Sequence, residues 1–153
     1  MKLYHYTCQF HLDEILHDGF LKLTRSNLMQ PIAPYVADGV FRDATDNIKP
    51  VVWFSSELNF KNAVNNGLDN DFINDPLYDK TAIAIVIDTD NNGVYEKWEP
   101  WALKNGIDRQ WLKVLKQTAP NWRTFYISEK PVKIDSNTEI LYKKDFLDCG
   151  KQK

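Results

Sequence analysis

The chain has 153 residues, 43% of them hydrophobic and 26% charged, which suits one domain of ordinary size and excludes disorder, collagen and a pure coiled coil. Against 21 Asp and Glu stand 19 Lys and Arg, a net charge of −2. No global field therefore attracts a nucleic acid, although such a balance still leaves room for a local basic patch.

In chain order, Leu3 to Tyr6 reads as a short strand. Thr7 is a cap for a helix running to about His17, with Leu12, Ile15 and Leu16 on one face and Gly19 as its stop. Phe20 to Leu23 alternates weakly, as a second short strand does. Residues 24–50 hold Pro31, Pro34, Gly39 and Pro50 and read as a long shaped loop, the kind that borders functional sites. Val51 to Phe54 is a strand, after which Ser55 or Ser56 caps a helix with Phe60, Ala63 and Val64 inward, ending at Gly67. Residues 68–80 form another loop. Thr81 to Asp88 is the clearest strand, apolar on both faces and placed centrally.

Asn91-Asn92-Gly93 turns the chain into Val94-Tyr95-Glu96. Pro100 opens a short helix closed by Gly106. Asp108 caps another, with Trp111, Leu112 and Leu115 inward and Pro120 as its end. Thr124 to Ile127, Val132 to Ile134 and Glu139 to Tyr142 complete the strands. Helices and strands do not alternate regularly, so the pattern predicts an α+β class rather than a doubly wound parallel sheet. Residues 1–146 read as a single domain and 147–153 as a polar tail, with no internal repeat or linker between.

The opening residues, Met1 to Tyr6, have no apolar leader region, and no apolar run approaches the 18 residues that a membrane span needs. Cys8 and Cys149 make no CxxC and no disulfide framework; they read as reduced thiols in a cytoplasmic protein. Asp88, Asp90, Asn92, Gly93 and Glu99 satisfy a calcium-loop pattern formally. A calcium loop leaves a helix, however, whereas Thr81 to Ile87 is a strand, so a polar turn is the better reading and no metal is expected. His5, His11 and His17 match no zinc spacing. His11 and His17 suit a helix surface. His5 lies in a strand between Tyr4 and Tyr6, where a half-buried imidazole needs partners. A Cys8–His5 dyad lacks an orienting third group.

Leu3-Tyr4-His5-Tyr6-Thr7 leads into a helix and Ile15-Leu16-His17-Asp18-Gly19-Phe20-Leu21. This resembles the opening of the ADP-ribosyltransferase superfamily, above all its diphtheria-toxin-like branch, and DNA-targeting toxins and RNA 2′-phosphotransferases start similarly. Val52-Trp53-Phe54-Ser55 and the segment after it are similar to the strand–helix segment of poly(ADP-ribose) polymerases. Thr138-Glu139-Ile140-Leu141-Tyr142 is similar to their late strand, which opens with a catalytic glutamate. The three segments stand in the family's order and cover about 40 residues.

The resemblance implies split antiparallel β-sheets with short flanking helices, holding NAD in a cleft. It implies that His5, with Tyr6 and Thr7, binds the nicotinamide ribose, and that Trp53, with Phe54 and Ser55, forms the nicotinamide wall. Trp53 stands where the family usually has tyrosine. Glu139 would bind the ribose 2′-hydroxyl and stabilise positive charge as the glycosidic bond breaks. The implied activity is transfer of ADP-ribose from NAD to a macromolecular acceptor, protein or nucleic acid. Two alternatives stand beside it: an inert NAD- or ADP-ribose-binding module of the same fold, and a partner-binding protein using Trp98, Trp101, Trp111 and Trp122. A 2′-phosphotransferase ranks lower, because only Arg25, Arg42 and Arg123 offer themselves to a phosphate.

Overall fold

A computed structural model describes residues 1–23, 49–60, 77, 79, 81–89, 94–106, 109–119 and 121–146. The strands are β1 (Lys2–Thr7), β2 (Phe20–Leu21), β3 (Val52–Ser55), β4 (Ile83–Asp88), β5 (Tyr95–Lys97), β6 (Phe125–Ser128), β7 (Val132–Lys133) and β8 (Glu139–Tyr142). The described residues include the helices α1 (Gln9–Asp18), α2 (Trp98–Lys104) and α3 (Arg109–Thr118), a 3-10 turn over Trp122–Thr124 and helical residues at 143–146. The class is α+β, as the pattern predicts.

One sheet has six strands in the order β5-β6-β3-β1-β4-β8, and β2 pairs with β7 in a second. Among the described residues every pairing is antiparallel. β1 and β4 are paired from Lys2↔Asp88 to Thr7↔Ile83, whereas β1 and β3 share only Tyr4↔Ser55. β1 is therefore paired along its whole length on one side and at a single register position on the other.

Residues facing each other across an antiparallel pair share a face, and neighbours in sequence alternate. One face of the sheet carries Leu3, Val52, Phe54, Ile83 and Ile85, which pack with Leu12 of α1, Leu21 of β2, and Val132 and Ile134 at β7. This is an aliphatic core, and burial of each such side chain contributes roughly 1.5–3 kcal/mol. The other face, beside β3 and β6, carries an aromatic core: Trp98 and Trp101 of α2 and Leu112 of α3 are buried with Val51 and Ile127, and Trp53, Trp122 and Phe125 pack against them.

α1 starts one residue later than Thr7 suggests. Cys8 occupies the cap position, with an extended backbone and no side-chain capping bond. Thr7 instead ends β1 and is buried. Leu16 is 49% exposed rather than inward, because β2 and β7 cover the flank of α1 that carries Leu12 and Ile15. Gly19 does end the helix: its φ of 77° is one that a side chain disfavours, and its N–H reaches Ile15 O at 2.8 Å.

α2 begins at Trp98, two residues ahead of Pro100, and the chain leaves it through Gly106 at φ 70°. β4 is buried on both faces as its apolar run predicts, but it lies between β1 and β8 rather than at the centre. β8 has the bounds read from the sequence. Residues 56–60 form no helix. Ala63, Val64 and Gly67, the loop over 24–48, Asp90 to Gly93, Asp108, Pro120 and the tail with Cys149 lie outside the described residues, as do the side chains of Trp111 and Leu115.

A buried ion pair fastens β4 to β8. Asp79 accepts from Thr81 N (2.9 Å) and Thr81 Oγ1 (2.7 Å), and Lys143 Nζ donates to Asp79 Oδ2 at 2.9 Å and to Thr81 Oγ1 at 3.0 Å. Among the described residues, no helix is long and apolar enough to cross a membrane.

Candidate functional site

The opening between β1 and β3 is where the sequence-derived site residues gather. Beyond Tyr4↔Ser55 the two strands share no further register pair, and a side chain bridges them instead. His5 Nδ1 donates to Trp53 O at 2.8 Å, which fixes the proton on Nδ1 and leaves Nε2 as an acceptor. His5 keeps some residue surface, yet its imidazole is deep enough that desolvation lowers its pKa below the ordinary 6.5. The bond to Trp53 O works the other way, and the charge of His11 lowers it slightly further. At neutral pH the ring is therefore uncharged. It meets Phe54 edge-on, with ring centres 5.9 Å apart.

Phe54 is buried in the aliphatic core and also meets Tyr95 at 5.4 Å, so it supports His5 from below. Trp53 points to the opposite face. Its ring lies 6.0 Å from Trp98 and 5.9 Å from Phe125, and its Nε1 is buried without a hydrogen-bond partner. Trp98 Nε1 is in the same condition, although that residue has no exposed surface at all. Trp101 differs: its Nε1 donates to Glu129 Oε1 at 2.7 Å, and this bond, with Lys49 and Lys104 nearby, lowers the Glu129 pKa against the opposing effect of desolvation.

Tyr6 shares the face of Trp53. Its hydroxyl donates to Glu57 O (3.1 Å) and accepts from Asn59 N (2.8 Å), holding the segment that follows β3. Burial raises its pKa. Ser55 Oγ accepts from Glu57 N at 3.2 Å and lies 2.8 Å from Thr124 Oγ1. Each hydroxyl also has a carbonyl within reach, Thr124 Oγ1 donating to Asn121 O at 2.7 Å and Ser55 Oγ to Glu57 O at 3.1 Å. Ser55 thus ties the end of β3 to the 3-10 turn, a bond that runs along the edge of the opening.

Glu139 opens β8, exposed, with no hydrogen bond or ion pair among the described residues. Its register partner is Val86, whose partner on β1 is Tyr4. Glu139 therefore stands about 10 Å, two strand spacings, from β1, on the face of Tyr4 and Trp53 rather than that of His5. The fold brings His5, Trp53, Phe54 and Ser55 to one opening. It puts Glu139 two strands away, and it sends the side chains of His5 and Trp53 to opposite faces. Sequence reasoning did not place Thr124 here and named Trp98 only for a partner interface, yet both stand on the β3 side; their signal was the density of Trp and Phe between residues 98 and 125.

Asp88, one end of the calcium pattern, lies in β4 near the N-terminal amine, and Glu99, the other end, sits in α2 and pairs with Lys116. Among the described residues, no group of three or more His, Cys, Asp or Glu is placed to hold a metal ion. No protein-family model matches the chain, and neither does a curated protein or a solved structure.

Proposed function

We propose that the chain binds NAD across the opening between β1 and β3 and transfers its ADP-ribose to a macromolecular acceptor. The carrying observation is the single register pair Tyr4↔Ser55 at the centre of an otherwise paired sheet, with a neutral imidazole set into the gap. A split sheet is what the resemblance to ADP-ribosyltransferases implies. His5 Nε2, with nothing else bonded to it among the described residues, suits a ribose hydroxyl as donor. Trp53 offers a flat indole at the same gap. Glu139 supplies an unpaired carboxylate for charge developing at the glycosidic carbon, where preorganised negative charge lowers the barrier. The reading includes a reducing, cytoplasmic setting, which goes with the free thiol of Cys8.

One observation favours a second reading, an inert module that binds NAD or ADP-ribose. Glu139 and His5 lie on opposite faces, so a cofactor touching both has to pass through the opening rather than lie along one face. Nicotinamide release from NAD, with saturable NAD binding measured by calorimetry, separates the readings. For a transferase, Glu139→Gln lowers turnover on the order of 10²–10³ and leaves NAD affinity nearly unchanged, because the lost charge matters at the transition state. His5→Ala weakens binding as well. Unchanged turnover in Glu139→Gln removes Glu139 from the mechanism. Binding without turnover selects the inert module, and absence of binding ends both.

A further inference from the structure

From Arg109 to Thr124 the chain carries Arg109, Lys113, Lys116 and Arg123 and no Asp or Glu, in a protein whose net charge is −2. Arg109, Lys113 and Lys116 stand at helical spacings of four and three in α3, so they share one side of that helix. The last turn of α3 meets the 3-10 turn through Trp122. Lys116 Nζ lies 4.4 Å from the centre of its ring, and Arg123 Cζ lies 4.5 Å from it. Lys116 also pairs with Glu99 of α2; Arg109, Lys113 and Arg123 have no carboxylate partner among the described residues.

We infer that this surface binds single-stranded nucleic acid. With Glu99 facing Lys116 and Asp108 next to Arg109 in the sequence, four cations still outnumber the neighbouring carboxylates, and the remaining self-repulsion is relieved by a polyanion. Phosphodiester groups supply that negative charge at regular intervals, as the stepped cations require. The described exposed side chains of α3 are Arg109, Gln110, Lys113 and Gln117, none of them a large apolar anchor, so a strand of phosphates suits the helix better than a lipid surface. The flat groups select the single strand. The exposed Arg123 guanidinium, laid over the half-buried Trp122 ring, is a flat stacking partner for unpaired bases, which a duplex keeps hidden. Trp122 meets Trp98 of the aromatic core in an edge contact, with ring centres 6.4 Å apart and the planes at 69°. The inference rests on charge and ring placement and is independent of the NAD reading.

The test is fluorescence anisotropy of a labelled oligothymidylate of about 12 nucleotides titrated with the full chain at about 50 and 200 mM salt, with a duplex of equal length alongside. The single strand is expected to bind in the range of about 1–100 µM at the lower salt and to weaken as salt rises. The double variant Arg109→Gln, Lys113→Gln should lower the salt slope by about 1.4, for two lost phosphate contacts, and weaken binding by about tenfold or more. Trp122→Leu should weaken it about 5- to 100-fold at both salts, as loss of a stacked base does. Should Trp122→Leu disturb the core, the double variant still decides, since both of its side chains are exposed. Binding unaffected by the double variant, binding of duplex as tight as that of single strand, or no binding at low salt overturns the inference.

Discussion

Strand β1 has two unlike neighbours. Toward β4 it is paired along its whole length, and the partners it meets on its inner face are aliphatic and buried: Leu3 faces Ile87, His5 faces Ile85 and Thr7 faces Ile83. Toward β3 it keeps one pair, and the contacts are polar or aromatic: His5 to Trp53 O, Tyr6 to the backbone of Glu57 and Asn59. The difference separates scaffold from opening. Paired strands with a buried face have a strongly specified register. A gap bridged by single side chains can open at the cost of one or two hydrogen bonds, each worth about 0.5–1.5 kcal/mol net.

The largest effect should come from breaking the closed side. Ile85→Ala removes a side chain with no exposed surface and should cost about 2–5 kcal/mol in urea unfolding. The matching change on the β3 side, Ser55→Ala, should cost about 1–2 kcal/mol, for its hydrogen bonds to Thr124 and Glu57. Equal losses in the two variants would erase the distinction.

The far edge of the closed side gives the next effect. Lys143→Ala removes one cation from the buried Asp79 carboxylate and leaves its Thr81 bonds in place. A loss of about 2–3 kcal/mol is expected from equilibrium unfolding, in the range of hydrogen bonds to charged groups. A loss within 0.5 kcal/mol, the scatter typical of ordinary surface substitutions, would show that the pair is solvated and that β8 is not fastened there.

A smaller effect belongs to His5. Folding holds its imidazole neutral, so between its lowered native pKa and the ordinary 6.5 the unfolded chain binds the extra proton. The stability that comes with the neutral ring is fully present above about pH 6.5 and is lost as the pH falls toward the native pKa. His5→Asn keeps a donor near the Nδ1 position and removes the titration. Wild type and variant should therefore diverge in their pH dependence only below about pH 6.5. A constant offset between the two curves would mean that His5 is not desolvated.

The smallest effect is expected at Trp53. Trp53→Phe keeps a ring against Trp98 and Phe125 and removes an indole N–H that has no partner, so the net change should stay within about 1 kcal/mol. Trp101→Phe removes a paired N–H and should cost at least about 1 kcal/mol more. If the order is reversed, the Trp53 donor is satisfied in solution and the β3 side is less open than its geometry indicates.

Local pattern in the sequence determined the elements. The run Ile83 to Ile87 can only be a strand with both faces covered, Gly19 supplies the left-handed residue that ends α1, and Glu139 to Tyr142 has the alternation of a strand. The sequence also determined which side chains share a face within one strand: Tyr4 with Tyr6, Val52 with Phe54. It did not determine how those faces line up between strands. That depends on register and strand order, and a slip of one residue exchanges every face. Tyr4↔Ser55, Tyr4↔Val86 and Val86↔Glu139 are pairings between segments about 50 or more residues apart, and they alone put Glu139 with Trp53 and away from His5. The Asp79–Lys143 pair and the Trp122 platform are likewise meetings of distant or separately folded segments. Their charges and rings were visible in the sequence, but their partners existed only once the chain had packed.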